Sequence, residues 1–312
     1  MHFWAYGLIA LAAALWGIIS LFVKGLAAYG LTPLQIVAVR AALSAAVLLA
    51  YMLAADRRGL AISLADCRYF IGTGVFSILF FNWCYFYAIQ AMEVAVAAVL
   101  LYTAPAFVAL MASLFLGEKL TGRKLFALVT TFVGCCLVVG LLPGFRGTVS
   151  ISGLLAGLGA GFGYALYSIF GKFALRKYSA LTVTTYTFVF AALAGLPMSG
   201  LGAAAAALSQ WQVWAYILGL GLVSTVLAYL CYTVGLAYVE PSRAAVTATL
   251  EPLVAAAVGA AVFGEALGGW QLAGMVLVIA AVAVVQDYRP RNGGRITKKI
   301  SKGADNGQTG SR

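Results

Sequence analysis

The sequence predicts an all-α integral membrane protein: ten transmembrane helices arranged as two inverted five-helix repeats. Three observations support this: an extreme composition, ten apolar runs with basic residues gathered on alternate connections, and an internal match on one register. Of 312 residues, 63% are apolar and 9% charged, with a mean hydropathy of +1.00. A soluble domain averages about 45–50% apolar and about 25% charged residues. Too few charges remain to coat a water-exposed surface, which excludes a soluble enzyme, a disordered chain and a free nucleic-acid binder. The cysteines agree: Cys67, Cys84, Cys135, Cys136 and Cys231 are odd in number, and four of them sit inside apolar runs. They read as small buried residues rather than disulfide or metal partners.

The apolar runs lie roughly at 3–23, 33–54, 69–89, 95–116, 123–142, 153–173, 181–201, 213–235, 243–263 and 270–287. A helix crosses a bilayer in about 20 residues, whereas barrel strands run to about 10 and alternate, which these do not. Unsatisfied backbone in lipid leaves helices as the solution. Residues 3–23 lack the basic start of a cleavable signal peptide and form too long a run, so they read as the first span. Placing the N-terminus inside puts Arg57, Arg58, Arg68, Lys119, Arg123, Lys124, Lys172, Arg176, Lys177 and Arg243 in the cytoplasm. Arg289, Arg291, Arg295, Lys298, Lys299, Lys302 and Arg312 of the tail join them, making 17 of the 20 basic residues. Lys24 and Arg146 fall outside, and Arg40 lies within a span. This bias predicts a multi-pass protein of the bacterial cytoplasmic (inner) membrane with both termini cytoplasmic. The +11 net charge is then a topology signal. The tail, 288–312, reads as basic, disordered and cytoplasmic.

The two halves match at an offset of 147 or 148 residues. Trp16, Ser20, Phe22 and Lys24 correspond to Tyr164, Ser168, Phe170 and Lys172. Cys84-Tyr85 corresponds to Cys231-Tyr232, Glu93 to Glu240, Pro105 to Pro252, and Gly117-Glu118 to Gly264-Glu265. An ordered series on one register is a duplication. Because each half holds an odd number of spans, the second inserts upside down relative to the first. Inverted repeats around a midplane site are the architecture of secondary transporters.

The order of signals resembles the EamA family of the drug/metabolite transporter superfamily. The resemblance rests on Trp16-Gly17 in span 1, Pro33 then Arg40 in span 2, Pro105 and Pro252 in spans 4 and 9, and the Gly-Glu closing each of those two spans. It covers about residues 3 to 287, dividing the chain into a first EamA repeat at 1–145 and a second, inverted one at 146–287. It implies ten helices around a central cavity lined mainly by spans 1, 3, 4, 6, 8 and 9. It further implies export of amino acids or other small metabolites, as in many members.

Arg40 and Glu251 are the charges deepest in apolar runs. At 1.5 Å per residue Arg40 lies about 10 Å from the outer end and Glu251 about 13 Å from the cytoplasmic end. In a slab about 30 Å thick their depths differ by about 6 Å. A charge there is costly unless paired or facing water, so a substrate role stands beside the alternative of a structural Arg–Glu pair. Glu251 corresponds to Ala104, and Arg40 to an uncharged stretch near Phe188, so both break the symmetry of the scaffold. Pro105 and Pro252 are candidate hinges, since each removes an N–H and bends its helix. Trp16, Ser20, Asn82, Tyr85, Tyr102, Tyr164, Tyr167, Tyr229 and Tyr232 complete the candidate substrate-binding set. They would give an aromatic pocket with scattered hydroxyls, although each ring could instead fill packing space or an interfacial belt. Glu93, Glu118, Glu240 and Glu265 sit at helix ends and read as caps and dipole partners.

The one histidine, His2, excludes metal clusters and histidine triads, and dinucleotide and Walker A loops are absent. The chain is expected to be no enzyme and to use no cofactor. The function expected is secondary active export of amino acids or related metabolites by alternating access through an aromatic midplane cavity. The alternatives are a broad-specificity efflux pump or flippase for lipophilic compounds and, behind it, a non-transporting membrane sensor. Expected partners are a small-molecule substrate, a proton as coupling ion and the lipid bilayer, with no nucleic acid. The chain would work as a monomer or homodimer.

Overall fold

The computed structural model describes residues 3–142 and 150–286, among which helices and their connecting turns account for the backbone, with no strand. His2, Arg146 and the basic tail fall outside the described residues. The long helical segments are α1 (Phe3–Ala28), α2 (Pro33–Ala55), α3 (Leu64–Ala91), α4 (Val94–Leu116), α5 (Gly122–Val138), α6 (Ile151–Ala174), α7 (Ala180–Met198), α8 (Trp211–Tyr238), α9 (Pro241–Phe263) and α10 (Gly269–Gln286). Nine of them are long and apolar enough to cross a membrane, and α5, at 17 residues, is shorter. It stops at Val138 rather than 142 because Gly140, at φ +76°, turns the chain out of the helix. Caps mark several starts: Thr32, Thr121, Ser150 and Ser179 each accept from a backbone N–H one turn into the helix that follows. Many large apolar side chains, among them Leu114, Phe115, Leu125, Phe126 and Val276, stay exposed on the perimeter, the face suited to lipid.

Contacts between connections define the two ends of the bundle. At the basic end, Asp66 accepts from Lys177 at 2.8 Å and from the Tyr178 hydroxyl at 2.7 Å, while Lys124 bridges Glu118 and Glu240. At the opposite end, Lys24 meets Glu265 at 3.4 Å, Gln35 donates to the Gly200 carbonyl and Ser150 to that of Ala91. The helix α1 starts at the basic end, where Trp4 packs on Tyr238 with ring centroids 4.7 Å apart. The helix α6 starts at the opposite end, beside Ala91, so the two run in opposite directions.

Local irregularities recur at the 147-residue offset. Wide π turns occupy Gly72–Leu79 in α3 and Gly219–Leu227 in α8. The helices α4 and α9 break at Tyr102–Thr103 and Thr249–Leu250, and both end on a left-handed glycine, Gly117 at φ +70° and Gly264 at φ +68°. One irregularity is unmatched: α1 breaks at Ile18, whereas α6 runs unbroken from Ile151 to Ala174.

Candidate functional site

A cavity of about 370 Å³ occupies the middle of the bundle and reaches the opposite end. Its lining runs from Val23, Pro33 and Ile89 near that end to Trp16, Tyr164 and Glu251 midway. Nine of the eleven residues singled out from the sequence face it: Trp16, Ser20, Arg40, Asn82, Tyr85, Tyr102, Tyr164, Tyr229 and Glu251. They are delivered by α1, α2, α3, α4, α6, α8 and α9. The expectation of spans 1, 3, 4, 6, 8 and 9 therefore omits α2, which contributes Pro33, Ile36 and Val37 along with Arg40.

Tyr167 and Tyr232 stand behind the cavity wall. The Tyr167 hydroxyl bonds Thr233 at 2.7 Å and the Tyr232 hydroxyl bonds Ser168 at 2.7 Å. Their rings support the lining instead: Tyr167 meets Tyr229 edge-on at 5.1 Å, and Tyr232 tilts against Trp16 at 5.3 Å. Trp16 also packs on Tyr229 at 5.1 Å and Tyr164 at 6.3 Å, so one indole locks a cluster drawn from α1, α6 and α8. The other side of the wall is apolar. Phe81, Phe86, Leu101 and Ala255 line it, and sequence reasoning passed over them because they match lipid-facing residues in type.

Arg40 and Glu251 share the cavity without forming an ion pair, and the five ion pairs among the described residues use other groups. The Arg40 Nε is buried with no hydrogen-bond partner. On the other wall Tyr164 lines the cavity beside Glu251, and the two also border one smaller void. A structural Arg–Glu pair is thus not what holds these charges in place. Two further voids, each with room for about one water, adjoin Tyr164.

The prolines do not bend continuous helices as expected. Pro105 and Pro252 occupy the first turn of a restarted helix, where a missing N–H costs nothing, and the break precedes each of them. The break frees backbone at the level of Tyr102 and Glu251. Gly17 lets α1 approach it, because a Cβ there would collide with Val254 and the Glu251 carbonyl.

The four helix-end glutamates, read alike from sequence, differ in the structure. Glu118 is buried, bound by Lys124 at 2.5 Å and by the backbone N–H and hydroxyl of Ser242. Burial holds its carboxyl above the usual carboxylate range, with Lys124 opposing. Glu240 accepts from Arg243 at 2.7 Å and Lys124 at 3.1 Å, joining the same seal at the basic end. Glu265 makes an exposed contact to Lys24, and Glu93 occupies the N-cap of a helix without a side-chain cap bond.

The EamA-like transporter family matches this sequence twice, at residues 3–140 and 151–286. An uncharacterized transporter of Archaeoglobus fulgidus is 33% identical over 217 residues, covering 70% of this chain and 76% of its own. The threonine/homoserine exporter RhtA of Escherichia coli K12 is 28% identical over 202 residues, covering 64% of this chain and 65% of its own. A solved crystal structure, 19% identical, shares the fold with a TM-score of 0.74 over 91% of this chain and 96% of its own. Family and relatives alike are transporters, not enzymes. With the apolar helices and the central cavity already described, they identify the chain as a membrane transporter of the EamA family, within the drug/metabolite transporter superfamily.

Proposed function

We propose that the chain exports amino acids or related small metabolites by secondary active transport through the central cavity. One observation carries this reading: Arg40 and Glu251 face the same cavity from α2 and α9, each without an ionic partner. A zwitterion supplies both missing charges, its carboxylate to the guanidinium and its ammonium to the carboxylate. The aromatic cluster of Trp16, Tyr85, Tyr102, Tyr164 and Tyr229 then takes the apolar body. At about 370 Å³ the cavity lies at the small end of the range for ligand sites, about 300–1,000 Å³. The amino-acid exporter among the relatives supports the same class.

In this reading α5 completes ten spans, and the halves 1–145 and 146–287 are inverted repeats whose conformations exchange during transport. The basic end faces the cytoplasm of the inner membrane by the positive-inside rule, so the cavity described here opens outward. A proton gradient is the driving force.

The test is flux in proteoliposomes. Threonine, homoserine and lysine are offered with an acid-outside gradient, and an uncharged sugar serves as control. Glu251→Gln is expected to lose gradient-driven flux by about tenfold or more, the loss of a buried charge-assisted contact. Unchanged flux in that variant refutes the assignment. Competition by many unrelated lipophilic cations would replace it with a broad efflux pump.

A further inference from the structure

We infer that Lys24 and Lys172 are alternating latches, each tying its own helix to the C-terminal carbonyls of a neighbouring helix when its end of the cavity closes. The inference rests on the inverted-repeat transporter reading above. Lys172 lies in the last turn of α6, and its Nζ donates to the carbonyls of Leu236 at 2.7 Å, Val239 at 2.9 Å and Ala237 at 3.3 Å. A helix leaves its last carbonyls without intrahelical partners, and a cation there satisfies them and the dipole together. All three ammonium protons are used. The result ties α6 to α8 at the basic end, the end that the cavity does not reach.

Lys24 is the same residue in α1, at an offset of 148. The carbonyls corresponding to its target are those of Ile89, Gln90 and Met92, at the end of α3. Lys24 is not there. Its Nζ lies 3.4 Å from Glu265 and 3.6 Å over the Phe263 ring, with the side chain 56% exposed. Ile89 and Val23 instead line the cavity between them. The docked lysine marks the closed end, and the undocked one marks the open end.

A second exchange accompanies the first. Glu265 corresponds to Glu118, which at the basic end accepts from the backbone N–H of Ser242 in the first turn of α9. The counterpart of Ser242 is Ala95, in the first turn of α4. Closing the opposite end therefore moves Lys24 from Glu265 to α3 and frees Glu265 for the start of α4. The break at Ile18, absent from α6, lies between Trp16 and Lys24 and gives that end of α1 its freedom.

The experiment uses the full chain in liposomes with Cys67→Ser, and spin labels on Ala28→Cys and Glu93→Cys, which are exposed on either side of the mouth. Pulsed electron–electron resonance then reads the long (open) and short (closed) distance populations. Lys172→Met loosens the basic end and should raise the short population about tenfold relative to the long one. Lys24→Met should lower it by a similar factor, and the double variant should return near the starting ratio. Restoration in the double variant excludes simple misfolding. Two populations that neither lysine moves, or that both move in one direction, overturn the latch and leave the transporter reading standing. A single distance in every variant overturns the latch as well, and if flux is also absent the transporter reading falls with it.

Discussion

Glu118 and Glu265 correspond at the 147-residue offset, yet they should differ severalfold in their effect on stability. Alanine at 118 strips Lys124 of a partner at 2.5 Å in a site where both side chains are at most 7% exposed. Removing one member of a buried pair costs about 3–5 kcal/mol. Lys124 keeps Glu240 at 3.1 Å and the Lys119 carbonyl at 3.0 Å, which moves the loss toward the low end. Ser242 then has two stranded donors, a penalty of about 1–3 kcal/mol that overlaps the first. A net of about 3–4 kcal/mol follows for Glu118→Ala. Glu265 meets Lys24 at 3.4 Å with side chains 60% and 56% exposed, so Glu265→Ala should cost about 0–1 kcal/mol. At roughly 2–4 °C per kcal/mol, melting of the purified proteins at one scan rate should fall by about 6–16 °C for the first and about 0–4 °C for the second. Glu118→Gln separates charge from shape. Because the folded Glu118 carboxyl titrates above its unfolded value, stability tied to its protonated form is present at acid pH and lost as pH rises through the folded value. The wild type should therefore melt closest to Glu118→Gln at acid pH. Equal losses at 118 and 265, or none at 118, would refute the assignment of the basic-end seal.

Three further outcomes follow from the geometry. Gly17→Val places a Cβ 2.6 Å from that of Val254, so α1 and α9 must separate, and melting should fall by an amount equivalent to about 1–3 kcal/mol. Ala255→Phe intrudes on the cavity from a half-buried position, and should slow uptake of the larger substrates in proteoliposomes while the melting temperature holds. Thiol titration of the folded protein should modify Cys67 alone, because the other four free cysteines are buried, and rapid modification of two or more would contradict the packing of α3, α5 and α8.

Much of the fold was legible because lipid imposes a length and a composition on each helix. The runs at 33–54 and 95–116 each agree with α2 and α4 at one edge and differ by a single residue at the other. Edges set by a turn rather than by apolarity were not legible: α3 begins at Leu64 because a tight turn at Leu64–Asp66 feeds straight into the helix. Charged and aromatic residues deep in apolar runs, Arg40, Glu251 and Trp16, stood out by cost and do face the cavity. Tyr167 could not be separated from Tyr164 by type alone, since what removes it from the lining is Thr233, a partner from α8. Glu118 and Glu265 likewise carry the same local sequence, Gly-Glu after an apolar helix, and only the residues packed against each decide which is buried.

The exchange of halves also constrains Glu251. In the proposed cycle α9 takes the conformation that α4 holds here, so Glu251 comes to the place of Ala104. Ala104 is 2% exposed and faces a void with room for about one water, not the large cavity. A charged carboxylate left there without a partner costs several kcal/mol, so the empty carrier can close its opposite end only with Glu251 protonated. A loaded carrier can instead close with the substrate ammonium on that carboxylate. Export coupled to proton return follows from this alternative. The titratable groups that share the cavity with Glu251 are Arg40 from α2, Tyr85 from α3, Tyr102 from α4, Tyr164 from α6 and Tyr229 from α8, with Cys135 of α5 within its electrostatic reach, and Arg40 is the one fixed charge among them. Without substrate, the short distance across the Ala28–Glu93 mouth should therefore gain population as pH falls. In Glu251→Gln it should be high at every pH and match the wild type at acid pH. A wild-type distribution that ignores pH, or a Gln variant that still follows it, would remove Glu251 from the coupling step and leave it a substrate ligand alone.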